Sequence, residues 1–486
     1  MIAAMRNINI LAATSILLCC MGLSANAQVG NVYIHDPSTI VKCDGKYYTF
    51  GTGSGGLMSE DGWTWTDGAV RTGGGVAPDV IKIGDRYLVG YSSNYPGTRG
   101  YTKGDVITVW TKTLDPNSPD FGYSEQNLVA WAGADDDCWA IDQAFLLDPT
   151  TGRLWMSYGT YFGAIRIVEL DPKTGTRMPG NEPVDIAIDC EATALMYHNG
   201  WYYLLGTHGT CCDGANSTYN IVCGRSRSVT GPYLDNMGRD MLEGGGKMVL
   251  SAGNRATGPG HFGLYVEDEG CEKMSYHWEA DFERGGRSVL GISSLLWKND
   301  WPVAADPFKE GTYEIESERR GYSLELAVDF VRMNAGMRAF GIRADEPVKP
   351  LENQKLEEVI SGWPTGEIDL RAGDYMFRPH QRWTVTAVPD KGGYLGAPYY
   401  KITIEGTDRA LAATADAELV AVPEYTGADE QLWRIEQLVD GTFRIMAKSV
   451  PGQEGEYVIV STGDSTVALG KYDFNSDNSK WNFRDR

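Results

Sequence analysis

The sequence predicts an all-β chain: a β-propeller of five repeats over residues 28–305, then a second all-β domain of three similar lobes over 306–486. Three observations carry this. A turn followed by alternating aromatic and aliphatic residues recurs five times in the first part. No helical period interrupts it between residues 30 and 305. In the last third of the chain a Trp in a similar local context returns three times.

The five hairpins begin at Gly45 (GKYYTF), Gly84 (GDRYLVGYS), Gly152 (GRLWMSYGT), Asn199 (NGWYYLLGT) and, more faintly, Glu272 (EKMSYHWEA). Each has a turn residue and then the period of a strand. Their spacing is uneven, which predicts a common multi-stranded unit with loops of variable length, as in a propeller.

Upstream of each hairpin stands a polar residue in apolar or turn-like surroundings. These are Asp36 in HDPS, Asp79 in APDV, Asp142 in AIDQAF, Glu191 in CEATAL and His261 in GPGHFG. If these segments are the innermost strands, four carboxylates and one imidazole converge near one axis. Such crowding is costly unless the groups share protons, a cation or a substrate. Taken singly, Asp36 and Asp79 also read as turn formers beside proline, and His261 as a hydrogen-bonded core residue. Asp142 and Glu191 are poorly placed for a surface, and burial of Glu191 should raise its pKa as a general acid requires.

Bulk composition narrows the partners. Lys plus Arg number 43 against 65 Asp plus Glu, a net charge of −22. That argues against a nucleic-acid partner, which needs a basic face, and is compatible with a neutral substrate. The 14 Trp and 26 Tyr suit stacking on sugars, although core packing accounts for most of them.

Residues 1–27 read as a cleaved export signal. Arg6 precedes an apolar run from Ile8 to Leu23, and Ala25-Asn26-Ala27 forms a small-x-small cleavage site. The expected location is secreted or periplasmic. Cys19 and Cys20 raise a lipid anchor as the alternative, disfavoured by bulky Leu17 and Leu18 before them. No other stretch is apolar enough to be transmembrane. Seven cysteines remain after cleavage: Cys43, Cys138, Cys190, Cys211, Cys212, Cys223 and Cys271. The odd number leaves at least one unpaired. Adjacent Cys211 and Cys212 are read as plain buried thiols, with a vicinal disulfide as the sharper alternative.

The stretches HDPS, APDV, WAIDQAFLLDPTTGRLWMSYGTYFG, GTHGTCCDGANSTYNIVCGRSRSVTGPY and GPGHFG together resemble glycoside hydrolase family 43, in particular its endo-1,5-α-L-arabinanases. The resemblance implies a five-bladed β-propeller that hydrolyses arabinan or arabino-oligosaccharides with inversion. It implies Asp36 as general base, Asp142 as the carboxylate that tunes pKa and orients substrate, and Glu191 as general acid. It further implies that His261 helps hold a hydrated calcium ion. The two main carboxyls should then lie ~6.5–9.5 Å apart, leaving room for water. Asp79, Trp139, Phe162, Asn216 and Ser217 are the candidate substrate contacts. The chain departs from the pattern where AIDQ and CEATA each lack an expected proline.

Beyond residue 306, Trp383 and Trp433 sit in Gln-x-Trp, and Trp481 follows with Ser479 in place of Gln. This resembles a ricin-type β-trefoil, so the second domain is expected to be β-trefoil-like. Nothing in it supplies a constellation like the first domain's, so a chain ending near residue 305 is expected to stay active on short substrates. The alternatives are an exo-acting α-L-arabinofuranosidase or β-xylosidase on the same fold, and a non-catalytic glycan-binding protein.

Overall fold

The computed structural model describes residues 28–93, 100–253, 256–263, 271–328 and 355–485; the export-signal reading falls outside them. Five antiparallel sheets of four consecutive strands form the first domain. Blade I holds Val41–Cys43, Lys46–Phe50, Gly55–Ser59 and Thr64–Val70. Blade II holds Val76–Ile83, Arg86–Ser92, Asp105–Thr111 and Asn127–Trp131. Blade III holds Ala144–Leu147, Leu154–Tyr158, Ala164–Leu170 and Val184–Ile188. Blade IV holds Glu191–His198, Trp201–His208, Asn220–Ser226 and Lys247–Leu250. Blade V holds Gly260–Gly263, Lys273–Asp281, Arg287–Lys298 and Trp301–Ala304. This is a five-bladed β-propeller. Each hairpin read from the sequence is the turn into the second strand of one blade.

The aromatic and aliphatic residues of those strands are buried on both faces, because each blade packs against two others. The apolar clusters lie between blades. Tyr48 and Val41 meet Val80 and Val89 between blades I and II. Leu88 and Val106 meet Phe145 and Met156 between II and III. Leu146 and Trp155 meet Leu195 and Leu204 between III and IV. Met196 and Tyr203 meet Met274 and Tyr276 between IV and V.

The fifth seam is built differently. The segment before blade I bridges to blade V, Tyr33 opposite Val289, and Val29–Gly30 runs parallel to Thr64–Trp65. Between these, Tyr47, Leu57 and Trp65 of blade I pack with Leu290 and Ile292 of blade V, with Ile34, and with Leu395 of the second domain. Leu395 sits in a short hairpin, Gly393–Tyr394 paired with Ala397–Pro398, and is 1% exposed. At Gly396 (φ 100°) a Cβ would stand 2.6 Å from the Ile292 carbonyl oxygen, so only glycine allows this approach. The two domains also share a buried ion cluster. Lys273 of blade V pairs with Glu436, which Arg434 and Arg444 contact at 2.6 and 2.7 Å. The first domain therefore does not bury its own core alone, contrary to the expectation of independence drawn from where the polar residues lie.

The second domain is β-rich around one core that contains Trp383, Trp433 and Trp481. Each of the three indoles is fully buried. Each donates to a backbone carbonyl: Leu324, Leu411 and Ile459, at 2.8, 3.1 and 2.8 Å. Each follows a 3-10 turn. Gln381 and Gln431 accept from the backbone N–H of Met376 and Thr426, both at 2.8 Å. Ser479 is too short to make that bond and donates to the Asp473 carbonyl instead. These tryptophans are core, not surface.

Candidate active site

One backbone feature repeats around the axis. Asp36, Ala77, Asp142, Ala192 and His261, one per blade, all have positive φ between 45° and 56°. Each lies at or near the start of an innermost strand, and the ladder is irregular there in blades II, IV and V. Left-handed backbone is uncommon outside glycine and costs energy, so its recurrence points to a functional constraint. Asp36, Asp142 and His261 occupy this position directly. Glu191 lies one residue before it, and Asp79 two residues after.

That offset decides what Asp79 does. Its two carboxylate oxygens accept backbone N–H groups, Oδ1 from Thr39 at 3.1 Å and Oδ2 from Phe145 at 2.9 Å. Asp79 is 5% exposed and ties blades I, II and III together.

Asp36 is ringed by imidazoles. Its Oδ1 lies 3.2 Å from His261 Nδ1 and 3.4 Å from His35 Nε2. Thr52 donates its hydroxyl to Oδ2. The backbone N–H of Asp36 donates to His277 Nδ1 at 3.2 Å, which holds the left-handed turn. His277 is completely buried and stacks on His35 with ring centroids 4.5 Å apart. Burial and the neighbouring His35 charge keep His277 well below its ordinary pKa. Having its lone pair on Nδ1, its proton sits on Nε2, which has no hydrogen-bond partner among the described residues. His35 is aimed in turn by Ser288, whose hydroxyl goes to Glu279 and whose Oγ accepts from His35 Nδ1–H at 3.0 Å. Burial alone would raise the Asp36 pKa, but the charges of His35 and His261 hold it below the usual carboxylate range.

Glu191 has the opposite environment. It is 6% exposed, and burial followed by the Asp142 charge pushes its pKa up to about 8. The Tyr219 hydroxyl donates to its Oε1. Asp142 accepts the Ala192 N–H on Oδ2 at 3.1 Å and is itself raised to about 6 by burial. Two carboxyl groups on one axis are thus pushed apart, one towards the acid form and one towards the base form.

His261 stands with Nδ1 3.2 Å from Asp36 Oδ1; burial alone would lower its pKa, but the Asp36 charge raises it, favouring the protonated ring. It borders a small axial cavity of about 10 Å³ lined by Asp79, Asp142, Gln143 and Thr193 among others. A cavity of that size has room for about one water.

The remaining candidates lie on connections at the same end of the ring. Trp139 and Phe162 face each other at 5.9 Å, and Tyr161 packs on Phe162 at 4.6 Å. Phe162 is 64% exposed, so it is no core residue. Asn216 is exposed on the loop after Trp201–His208, whereas Ser217 is buried and donates to the Thr210 carbonyl. In the same loop Cys211 and Cys212 are bonded to each other, which corrects the reading as plain buried thiols. Burial fails here because the pair sits on an exposed loop, Cys212 itself being exposed; the other five cysteines among the described residues are buried and free. His35, Thr52, Tyr219 and His277 escaped sequence reasoning as site residues. None of the four carried a local signal strong enough to single it out: His277 shares its strand with Lys273, Ser275, Glu279 and Asp281.

Residues 56–302 match the family model "Glycosyl hydrolases family 43". The chain is 31% identical to an extracellular exo-α-(1→5)-L-arabinofuranosidase of Cellvibrio japonicus over 60% of this chain and 90% of that protein. It is 30% identical to an extracellular endo-α-(1→5)-L-arabinanase of Bacillus subtilis over 56% and 88%. Among solved structures, an exo-1,5-α-L-arabinanase from a bovine ruminal metagenomic library superposes with a TM-score of 0.51. It shares 30% identity and covers 56% of this chain and 97% of its own. By sequence, by propeller and by the polar residues at the axis, the chain belongs to family 43 of the glycosyl hydrolases.

Proposed function

We propose that this protein cleaves the α-1,5-linked backbone of L-arabinan at internal bonds, by inverting acid–base hydrolysis. The observation that carries the reading is the divergence of Glu191 and Asp36: one carboxyl kept protonated to about pH 8, the other kept ionised by histidines. A glycan-binding protein has no use for such a pair. Glu191 gives its proton to the leaving oxygen, and Asp36 takes one from the attacking water. Asp142 keeps Glu191 protonated by its proximity. Thr52, His35 and His277 hold Asp36 in place. Trp139 and Phe162 form a sugar-facing wall, with Asn216 at its edge, while Asp79 and Ser217 act by positioning backbone.

A hydrated calcium ion is proposed to lie near His261. It would supply positive charge beneath the site and fix the Asp36–His261 pair. The second domain is proposed to be a β-trefoil-like module, on the strength of its three equivalent Trp turns. Export is proposed from residues 1–27 and from the extracellular relatives.

A second reading, exo action, is favoured by the identity to the Cellvibrio protein. Timed product sizing on linear arabinan, branched arabinan and xylan separates them. The proposal expects a ladder of oligosaccharides from linear arabinan at early times. A single short product from the first turnovers would establish exo action, and turnover of xylan alone would overturn the substrate.

A further inference from the structure

Two cysteines and a histidine stand together beside the proposed base, and their donor atoms are those of a soft-metal site. The loop between Trp201–His208 and Asn220–Ser226 carries Cys211 and Cys212, bonded to each other. It leans over blade V, where Ala215 N–H donates to the Gly285 carbonyl at 3.2 Å. Thr210 and Thr218 bond reciprocally across it, through backbone and hydroxyls, at 3.0–3.1 Å. So held, both sulfurs lie within 4.8 Å of a ring nitrogen of His35.

His35 is oriented as a metal-binding imidazole is. The one hydroxyl hydrogen of Ser288 goes to Glu279, so Ser288 Oγ takes the Nδ1–H of His35 at 3.0 Å. Nε2 is left to carry the lone pair, and it faces Asp36 Oδ1 at 3.4 Å. Two facing lone pairs repel unless a proton or a metal ion lies between them. An imidazole whose far N–H is anchored towards a carboxylate is the usual outer arrangement of a zinc ligand. Solvent reaches the place: the His35 side chain is 33% exposed and Cys212 is exposed.

With the disulfide closed the sulfurs are not ligands, because a metal binds the thiolate. Reduction changes the donor set. The two side chains then rotate independently, and a tetrahedral zinc ion needs its sulfur and nitrogen donors about 3.5–3.8 Å apart. Two thiolates and an imidazole select zinc over calcium or magnesium, which prefer oxygen.

We propose that reduced Cys211 and Cys212 form, with His35 Nε2, a zinc site that blocks the base Asp36, and that the disulfide keeps this site closed. The metal replaces the proton between His35 and Asp36, so Asp36 no longer accepts one from water. The opening step consumes the disulfide, a phosphine reductant and one water, and yields two thiols and a phosphine oxide. Zinc binding then releases both thiol protons and the proton between His35 and Asp36. The blocking of turnover rests on the arabinan reading above; the binding of metal does not.

The test uses full-length protein, oxidised or phosphine-reduced and then freed of reagent without air, in buffer containing calcium. Zinc is titrated against a chromophoric competitor. The reduced protein should take up one equivalent at least about 100-fold more tightly than the oxidised protein. Co2+ in place of zinc should give a thiolate-to-metal charge-transfer band in the reduced protein. C211A/C212A, which keeps the five free described cysteines, should show neither effect. His35→Gln should weaken zinc binding by at least about tenfold. One equivalent of zinc should lower the rate of the reduced protein on linear arabinan by at least about tenfold, as loss of the base requires; reoxidation should restore it. His35, Asp36 and His277 also lie close enough to share an ion. Equal zinc uptake by the oxidised and reduced forms, or by C211A/C212A, would place the metal there or elsewhere and overturn the proposal. Native affinity in His35→Gln would remove His35 from the site and overturn it likewise. Zinc bound without loss of rate would overturn the blocking of Asp36. Failure of the zinc-free protein to act on arabinan in either form would overturn the arabinan reading and leave the binding measurements to decide the metal site.

Discussion

Leu395 tests the fifth seam. Leu395→Ala removes three carbons from a side chain that is 1% exposed and packed among Ile34, Tyr47, Leu57, Trp65, Leu290 and Ile292. The surroundings cannot collapse easily, because Gly62 and Gly396 already bring backbone against this hairpin. A buried Leu→Ala change of this kind costs about 2–5 kcal/mol. At roughly 2–4 °C per kcal/mol, the transition that melts the propeller should fall by about 4–20 °C. Two domains need not melt together, so scanning calorimetry is the suitable assay. Leu234→Ala, at a side chain 37% exposed, is the control and should stay within about ±0.5 kcal/mol. Because Ile34 directly precedes His35 and Asp36, kcat should also fall in the folded variant. A Leu395→Ala protein with an unchanged melting profile and unchanged kcat would refute the seam as a stabilising contact between the domains. A chain cut near residue 305 should then fold and work, which the seam predicts it does not.

Other expectations follow from the same contacts. Glu436→Gln leaves Lys273, Arg434 and Arg444 buried without their carboxylate, and should cost about 3–5 kcal/mol in denaturant titration; a loss under about 1 kcal/mol would contradict the cluster. The alkaline limb of kcat/KM should fall as Glu191 ionises near pH 8. The Tyr219 hydroxyl favours the charged form of Glu191, so Tyr219→Phe should move this limb to higher pH, and a shift to lower pH would contradict the assignment. Exhaustive chelation should lower the thermal midpoint and activity together, since a cation bound only to the folded state stabilises it. In His261→Ala the chelator should have no further effect, and an undiminished chelator response there would place the cation elsewhere.

The blades were legible because their strands alternate with period two and start at regular turn residues. Asp142 and Glu191 stood out as polar groups where the pattern demands apolar ones, and Asp36 only through the recurrence of a polar residue upstream of each hairpin. Asp79 shows the limit of that reading. It stands closer to its hairpin than the other four do to theirs, and the irregular ladder at Val76–Asp79 puts it two positions past the left-handed residue, a bulge that a strand period does not reveal. His277 and Tyr219 reach the carboxylates only through tertiary packing, from strands 241 and 28 residues away in sequence. The hairpin around Leu395 reads as an ordinary glycine-rich turn, since nothing local tells that it fills another domain's seam.

Acid catalysis by Glu191 is decided by comparing two leaving groups in folded Glu191→Gln. A sugar hydroxyl needs a proton to depart, so the rate on linear arabinan should drop about 10²–10⁴-fold. An aryl arabinofuranoside with an acidic phenol needs little help, and its rate should stay within about tenfold of the native protein's. Equal losses on both substrates, or a near-native rate on arabinan, would contradict Glu191 as the proton donor.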